Sequence, residues 1–119
     1  MQRVLVNEVS LAVEDVGSGQ AVLFVHGGWA DRHAWDAVAP ALADRYRVIG
    51  YDRRGHGQSE RPAGSHGIET HSEDLAGLID QLDAGPAHVV TSSIGGNIAL
   101  AMAVQYPDRL ASLCLHEPP

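Results

Sequence analysis

Residues 88–100 read His88-Val89-Val90-Thr91-Ser92-Ser93-Ile94-Gly95-Gly96-Asn97-Ile98-Ala99-Leu100. An apolar run ends in a cluster of small polar residues, and a second, longer apolar run follows directly. This order predicts a strand, a very tight turn and a buried helix. A serine at the apex of such a turn is held in a strained backbone conformation, and its hydroxyl projects beyond the end of the strand.

Ser93 is a better candidate for the apex than Ser92. The start of the helix passes close to the end of the strand, so only small residues fit two positions before and two positions after the apex. For Ser93 these neighbours are Thr91 and Gly95, whereas for Ser92 they would be a valine and an isoleucine. The alternative interpretation is that Ser93 only caps the following helix.

A pair of glycines follows another apolar segment. Ala21–Val25 is continuously apolar and of strand length, as expected for a strand that is covered on both faces. In the next residues, His26-Gly27-Gly28-Trp29, the glycines let the backbone approach a bound group and turn an N–H toward it. An ordinary turn is the alternative. We expect His26 to hold this loop and not to react.

A third segment, Asp52-Arg53-Arg54-Gly55-His56-Gly57-Gln58-Ser59, follows a predicted strand at residues 47–51. Its glycines suggest phosphate binding, but the segment has neither the G-x-x-x-x-G-K-[ST] spacing nor a lysine. A dinucleotide-binding G-x-G-x-x-G pattern is also missing after the first central strand. We therefore predict a scaffold loop that Asp52 and Arg54 tie down through hydrogen bonds.

Together the three segments resemble the α/β-hydrolase family. The first is similar to its G-x-S-x-G nucleophile elbow, with Thr91 in place of the first glycine, and the third matches its D-x-R-G-x-G-x-S loop. The resemblance implies that Ser93 is the nucleophile and that the backbone N–H groups of Gly28 and Ile94 form the oxyanion hole. It also suggests that Trp29 lines the pocket as a substrate-binding residue.

The pattern along the chain predicts an α/β fold that corresponds to the N-terminal part of an α/β-hydrolase domain. An N-terminal antiparallel hairpin leads into a mainly parallel sheet of about six strands, flanked by three helices. We predict strands at residues 3–7, 10–16, 21–25, 47–51, 87–91 and 110–116.

Helices are predicted between these strands. Residues 35–42 show helical spacing, but Pro40 would kink or end this helix. Thr70 and Glu73 suggest a capping box at the start of the second helix. The third helix is expected to run from the elbow to Tyr106, where a proline stops it.

The resemblance covers only the N-terminal half of the family's domain. A serine nucleophile needs a histidine base, which a carboxylate orients, and in this family both follow the nucleophile along the chain. We therefore expect residues 1–119 to form a single truncated domain that lacks the catalytic acid, the histidine and the substrate lid. Glu117 is a weak candidate for the acid. His116 is the one histidine after Ser93, but we do not assign it as the base.

The last predicted strand, residues 110–116, would be internal in a complete sheet and is expected to form an exposed apolar edge here. We therefore predict marginal stability or self-association through this strand. Cys114 is the only cysteine, so no internal disulfide can form, and its apolar setting predicts a place in the core.

Composition argues against several classes of function. The 119 residues carry a formal net charge of −7, which gives no electrostatic reason to bind nucleic acid or an anionic membrane. The seven histidines contain no i,i+4 pair and no H-E-x-x-H motif, so we predict neither a metal site nor a cofactor. We see no signal peptide or membrane-spanning run and expect a soluble, cytoplasmic protein.

The primary hypothesis is a serine-dependent hydrolase that acts on a small-molecule carboxylic ester or a related acyl bond, and that is inactive as this chain alone. One alternative is a non-catalytic ligand-binding or interaction module on the same half-fold. Haloperoxidase-like enzymes without a cofactor and hydrolases of carbon–carbon bonds share the serine elbow and stay open. Haloalkane dehalogenases and epoxide hydrolases carry aspartate at the elbow, so Ser93 argues against both.

Overall fold

The computed structural model describes residues 1–64 and 66–119. Its strands are β1 (Gln2–Val6), β2 (Val9–Val16), β3 (Ala21–Val25), β4 (Arg47–Tyr51), β5 (Ala87–Ser92) and β6 (Leu110–His116). They form one sheet in the order β1-β2-β4-β3-β5-β6. The pairs β1–β2 and β2–β4 are antiparallel and the other pairs are parallel. The predicted α/β architecture with its N-terminal hairpin is confirmed.

Two long helices cover one face of the sheet. They are α2 (Ile68–Gln81) and α3 (Ile94–Gln105), and they pack against the main hydrophobic core. Leu75, Leu78 and Ile79 of α2 are fully buried because they fall on one helical face. The predicted capping box is wrong: α2 begins at Ile68 after Gly67, so Thr70 already lies inside the helix, and no side chain caps its start.

The opposite face has a lighter cover. A 3₁₀ turn (Arg32–Trp35) precedes the short helix α1 (Ala39–Leu42) over a small cluster around Phe24. The prediction of one helix kinked or ended by Pro40 was wrong. Pro40 lies in the first turn of α1, where a missing N–H removes no intrahelical hydrogen bond.

Strand β6 forms the edge of the sheet next to β5, as predicted. None of its residues is fully buried, and Cys114 is exposed. The prediction that Cys114 packs in the core was wrong, because an edge strand has a neighbour on one side only. Among the described residues, no helix combines the length and the apolar character needed to cross a membrane.

Candidate active site

Ser93 forms the apex of the turn between β5 and α3. Its backbone has φ 53° and ψ −124°, a positive-φ conformation that is uncommon for a residue with a side chain. The N–H of Ser93 donates to the His116 carbonyl over 2.9 Å, and the N–H of Gly96 donates to the Ser93 carbonyl, also over 2.9 Å. These bonds hold the strained turn, and Ser93 is exposed at its tip.

Two small residues make this turn possible. A Cβ added at Gly95 would lie 2.5 Å from the carbonyl oxygen of Val25, so the start of α3 touches the end of β3. Thr91 is fully buried, and its hydroxyl donates to the Cys114 carbonyl over 3.2 Å. Threonine fits in place of glycine here because its hydroxyl has a partner in the neighbouring strand.

The glycine loop after β3 lies against this apex. A Cβ added at Gly27 would lie 3.2 Å from the Ser93 Cβ. Gly28 is exposed and Ile94 is half-buried. Within the described part of the chain, neither backbone N–H donates a hydrogen bond. The structure thus brings the loop and the turn together, while the role of Gly28 and Ile94 as oxyanion donors stays a prediction.

His26 is buried beneath the glycine loop. Its Nδ1 lies 2.8 Å from the Gly27 carbonyl, and its Nε2 accepts the backbone N–H of Arg53 over 3.0 Å. Because Nε2 is an acceptor, Nδ1 must carry the proton and donate to Gly27. Burial lowers the pKa of His26 to about 4. The imidazole is therefore neutral near pH 7, which fits the predicted structural role.

Arg53 is a further residue at this loop that the sequence did not single out. It is 4% exposed and donates to the carbonyls of His26 and Gly27, over 3.2 Å in each case. Its other contacts are the Nε2 atoms of His71 at 3.3 Å and His56 at 3.4 Å. Burial lowers the pKa of its guanidinium below the usual value. The signal available in the sequence was a second arginine directly beside Arg54 in this loop.

The rest of the loop after β4 acts as a scaffold, as predicted. Arg32 Nη1 donates a hydrogen bond to a carboxylate oxygen of Asp52 over 2.6 Å. The same carboxylate accepts a hydrogen bond from the backbone N–H of Gln58 over 2.8 Å. Arg54 binds Asp74 of α2 through two bonds of 2.6 and 2.9 Å. These buried ion pairs fasten the loop to the fold on both sides.

Trp29 and Glu117 complete the predicted site residues. Both are exposed, with φ values of 58° and 48°. The Trp29 side chain is free of packing, with an exposed fraction of 105%. Glu117 directly follows His116, whose carbonyl binds the Ser93 N–H. The proposed contacts of Trp29 with substrate and of Glu117 with a histidine both stay predictions.

No base is in place at Ser93 within the described residues. The hydrogen bonds of the described histidine rings go to other groups, and none reaches the Ser93 hydroxyl. No group of three His, Cys, Asp or Glu side chains in this part of the chain could hold a metal ion. A cavity of about 390 Å³ lies on the lightly covered face, against Phe24 and Trp35, and does not include Ser93.

Comparisons with known proteins agree with this fold. Residues 20–119 match a family model for the α/β-hydrolase fold. In structure, the chain is similar to a thermophilic esterase from Thermogutta terrifontis with malate bound. The TM-score is 0.94 at 40% identity, over 100% of this chain and 46% of the esterase.

Two curated relatives are hydrolases. A 2-hydroxy-6-oxo-2,4-heptadienoate hydrolase of Pseudomonas putida is 37% identical over an alignment of 119 positions, which covers 94% of this chain and 42% of that protein. A 2-(acetamidomethylene)succinate hydrolase of Mesorhizobium japonicum is 34% identical over 112 residues, which cover 94% of this chain and 40% of that protein. The chain thus spans less than half the length of each protein it is compared with here.

Proposed function

The chain belongs to the α/β-hydrolase fold family, and we propose that it carries the nucleophile of a serine hydrolase that cleaves a small carboxylic ester or a related acyl bond. One observation carries the proposal: Ser93 is exposed at a positive-φ turn, and a glycine loop lies against it. The similar proteins include an esterase and two hydrolases, which supports acyl chemistry.

In the proposed reaction, the Ser93 hydroxyl oxygen attacks the carbonyl carbon of the substrate. The carbonyl oxygen becomes negatively charged and accepts hydrogen bonds from the N–H groups of Gly28 and Ile94. Each such donor typically lowers the barrier by about 3–4 kcal/mol. Trp29, exposed beside Gly28, contacts the part of the substrate that does not react.

The proton of the Ser93 hydroxyl must pass to a histidine that a carboxylate orients. No described histidine ring is hydrogen-bonded to the Ser93 hydroxyl. We therefore expect turnover to need a further histidine that can accept the proton of the Ser93 hydroxyl. Glu117 is the candidate acid within the chain, because it follows the strand that binds the Ser93 backbone.

The missing base also favours a second candidate function. Without proton transfer, the backbone N–H groups of Gly28 and Ile94 would bind a carboxylate or a carbonyl group without reacting. The chain would then act as a ligand-binding module. Such a module predicts stabilisation by ligand with no turnover, and Ser93→Ala would leave that binding intact.

Labelling with a fluorophosphonate probe tests the proposed nucleophile. Two proteins are compared: the 119-residue chain, and the same chain joined after Pro119 to the C-terminal part of the Thermogutta esterase. We expect strong labelling of the joined protein, loss of labelling in Ser93→Ala, and normal labelling in the matched control Ser92→Ala. Labelling that survives Ser93→Ala would contradict the assignment.

The same proteins distinguish the substrate classes. We expect the joined protein to hydrolyse short esters. A keto acid is assayed beside them. The Pseudomonas relative is a hydrolase of 2-hydroxy-6-oxo-2,4-heptadienoate, and the ketone carbonyl of such a compound would be attacked by the same atoms. A folded joined protein that binds these compounds and turns over none of them would favour the binding module.

A further inference from the structure

Resting on the proposed function, we infer that Arg53 is a positioning residue for the oxyanion hole. Its guanidinium, together with the His26 ring, holds the Gly27 carbonyl, and this fixes the direction of the Gly28 N–H.

The geometry of one peptide bond carries the first step. The peptide between Gly27 and Gly28 is planar, so its C=O and N–H point to opposite sides. The Gly27 oxygen lies 2.8 Å from Nδ1 of His26 and 3.2 Å from Nη2 of Arg53, both on the buried side of the loop. The Gly28 N–H is therefore turned away from the interior, and it has no partner among the described residues.

The shape of the arginine side chain carries the second step. Its Nε donates to the His26 carbonyl and its Nη2 to the Gly27 carbonyl, each over 3.2 Å. One rigid, planar fork thus holds two successive carbonyls, which a single lysine ammonium cannot do with the same fixed geometry.

The charge of Arg53 carries the third step. Arg32 and Arg54 are also buried, and each is paired with a carboxylate. Arg53 forms no ion pair within 4.0 Å among the described residues, although unpaired burial of a cation costs stability. Gly27 touches both Arg53 and Ser93, so this uncompensated positive charge lies one residue from the place where negative charge would develop.

Three histidines surround Arg53. His26 and His56 each direct Nδ1 at a carbonyl, at 2.8 and 3.0 Å, which leaves Nε2 as an acceptor that faces Arg53. His71 also presents Nε2 to the guanidinium. His56 and His71 thus face the guanidinium through their Nε2 atoms, while Nε2 of His26 accepts the Arg53 backbone N–H.

Heteronuclear NMR on the 119-residue chain tests the inference. The variants are Arg53→Met, which removes the charge and the donors, and Arg53→Lys, which keeps the charge and loses the fork. In the unmodified chain we expect the Gly28 amide to be rigid. In both variants its order parameter should fall toward about 0.6 or below, with a shift of the Gly27 carbonyl carbon. Ile94 serves as the internal control and should not change.

A Gly28 amide that stays equally rigid in a folded Arg53→Met variant would overturn the inference. If Arg53→Met does not fold, a measurement on the unmodified chain tests the inference instead. Scalar coupling across the hydrogen bond from the Arg53 side-chain nitrogens to the Gly27 carbonyl carbon supports the inference, and its absence overturns it.

Titration with acetate separates this inference from the proposed function. If the Gly28 and Ile94 amides both respond in the unmodified chain, and Arg53→Met weakens the Gly28 response by about tenfold in affinity, both proposals are supported. If neither amide responds but Gly28 loosens in the variant, the oxyanion hole fails and the positioning role stands. An equal response in both proteins supports the oxyanion hole and overturns the role of Arg53.

Discussion

Strands β3 and β6 are both rich in apolar residues but have very different surroundings. Both are apolar runs that pair in parallel with β5, one on each side of it. All of β3 is buried, whereas β6 has no fully buried residue. The difference comes from their neighbours, because β3 lies between two strands and β6 lies at the edge. Apolar composition therefore predicts a strand but does not predict how deeply the strand is buried.

The ends of the two strands differ in the same way. β3 leads into His26 and Gly27, which are buried and held by Arg53. β6 ends at His116 and is followed by Glu117, and both residues are exposed. The first end is fixed by contacts within the chain, and the second end is fixed mainly by its bonds to the elbow.

The largest expected difference comes from one matched pair of leucines. Leu23 and Leu113 lie at the same level of the sheet, on either side of Val89. Leu23 is fully buried and Leu113 only partly so. We expect Leu23→Ala to lower the free energy of unfolding by about 3–5 kcal/mol, and Leu113→Ala by about 1–2 kcal/mol, because less buried surface is lost. Urea unfolding measures both values, and equal losses would break the comparison.

Gly95→Ala tests the closest contact between β3 and the elbow. The added Cβ would lie 2.5 Å from the Val25 carbonyl oxygen, and this atom belongs to the backbone and cannot move aside cheaply. We expect a loss of about 3 kcal/mol in the free energy of unfolding. Gly28→Ala is the control, since nothing lies within 4 Å of its added Cβ. A similar loss in both variants would argue against close packing at Gly95.

The buried end of β3 should also make stability depend on pH. Burial lowers the pKa of His26 from 6.5 to about 4. The unfolded chain then binds more protons between these values, so the free energy of unfolding should decrease as pH falls from 6.5 to about 4.

Chemical denaturation at a series of pH values measures this slope. His26→Gln, which cannot be protonated in this range, should reduce the slope without removing it, because burial also lowers the pKa of His71 to about 4. An unchanged slope in His26→Gln would show that His26 does not contribute.

The smallest effect is expected at the free edge of β6, which we propose as a surface for self-association. Ala111 is exposed on this strand, and a lysine there disfavours pairing between edges. Ala111→Lys should weaken association by about tenfold or less, as measured by sedimentation over a range of concentrations. Val104→Lys adds the same charge on α3 and is the control. A monomeric parent chain would remove the basis for this proposal.

The elements that could be predicted from sequence are those that local chemistry determines. The elbow at Ser93 was predicted because a tight strand–helix turn requires small flanking residues. The burial of Ala21–Val25 was predicted because a continuous apolar run suits a strand covered on both faces. The roles of Asp52 and Arg54 were predicted from a loop motif, and their partners Arg32 and Asp74 appeared only in the fold.

The errors concern contacts between distant parts of the chain. The core position predicted for Cys114 rested on its apolar neighbours alone, and sequence does not show which side chains of an edge strand are covered. The predicted cap at Thr70 is wrong because the helix is capped at Gly67. A glycine has no side chain that could cap the helix, so the sequence gives no capping signal at this position. The sequence does not predict the contacts of Arg53, because the carbonyls that it binds belong to residues 26 and 27, much earlier in the chain.

The elbow depends on the least protected strand of the molecule. Carbonyl groups of β6 accept hydrogen bonds from the Thr91 hydroxyl and the Ser93 N–H, so two of the bonds that shape the turn at Ser93 end at the sheet margin. Fraying of this margin would release the turn, and docking of another strand beside it would tighten the turn. The geometry of this turn is thereby linked to the order of the sheet margin, so a strand that paired with β6 would also act on the backbone around Ser93.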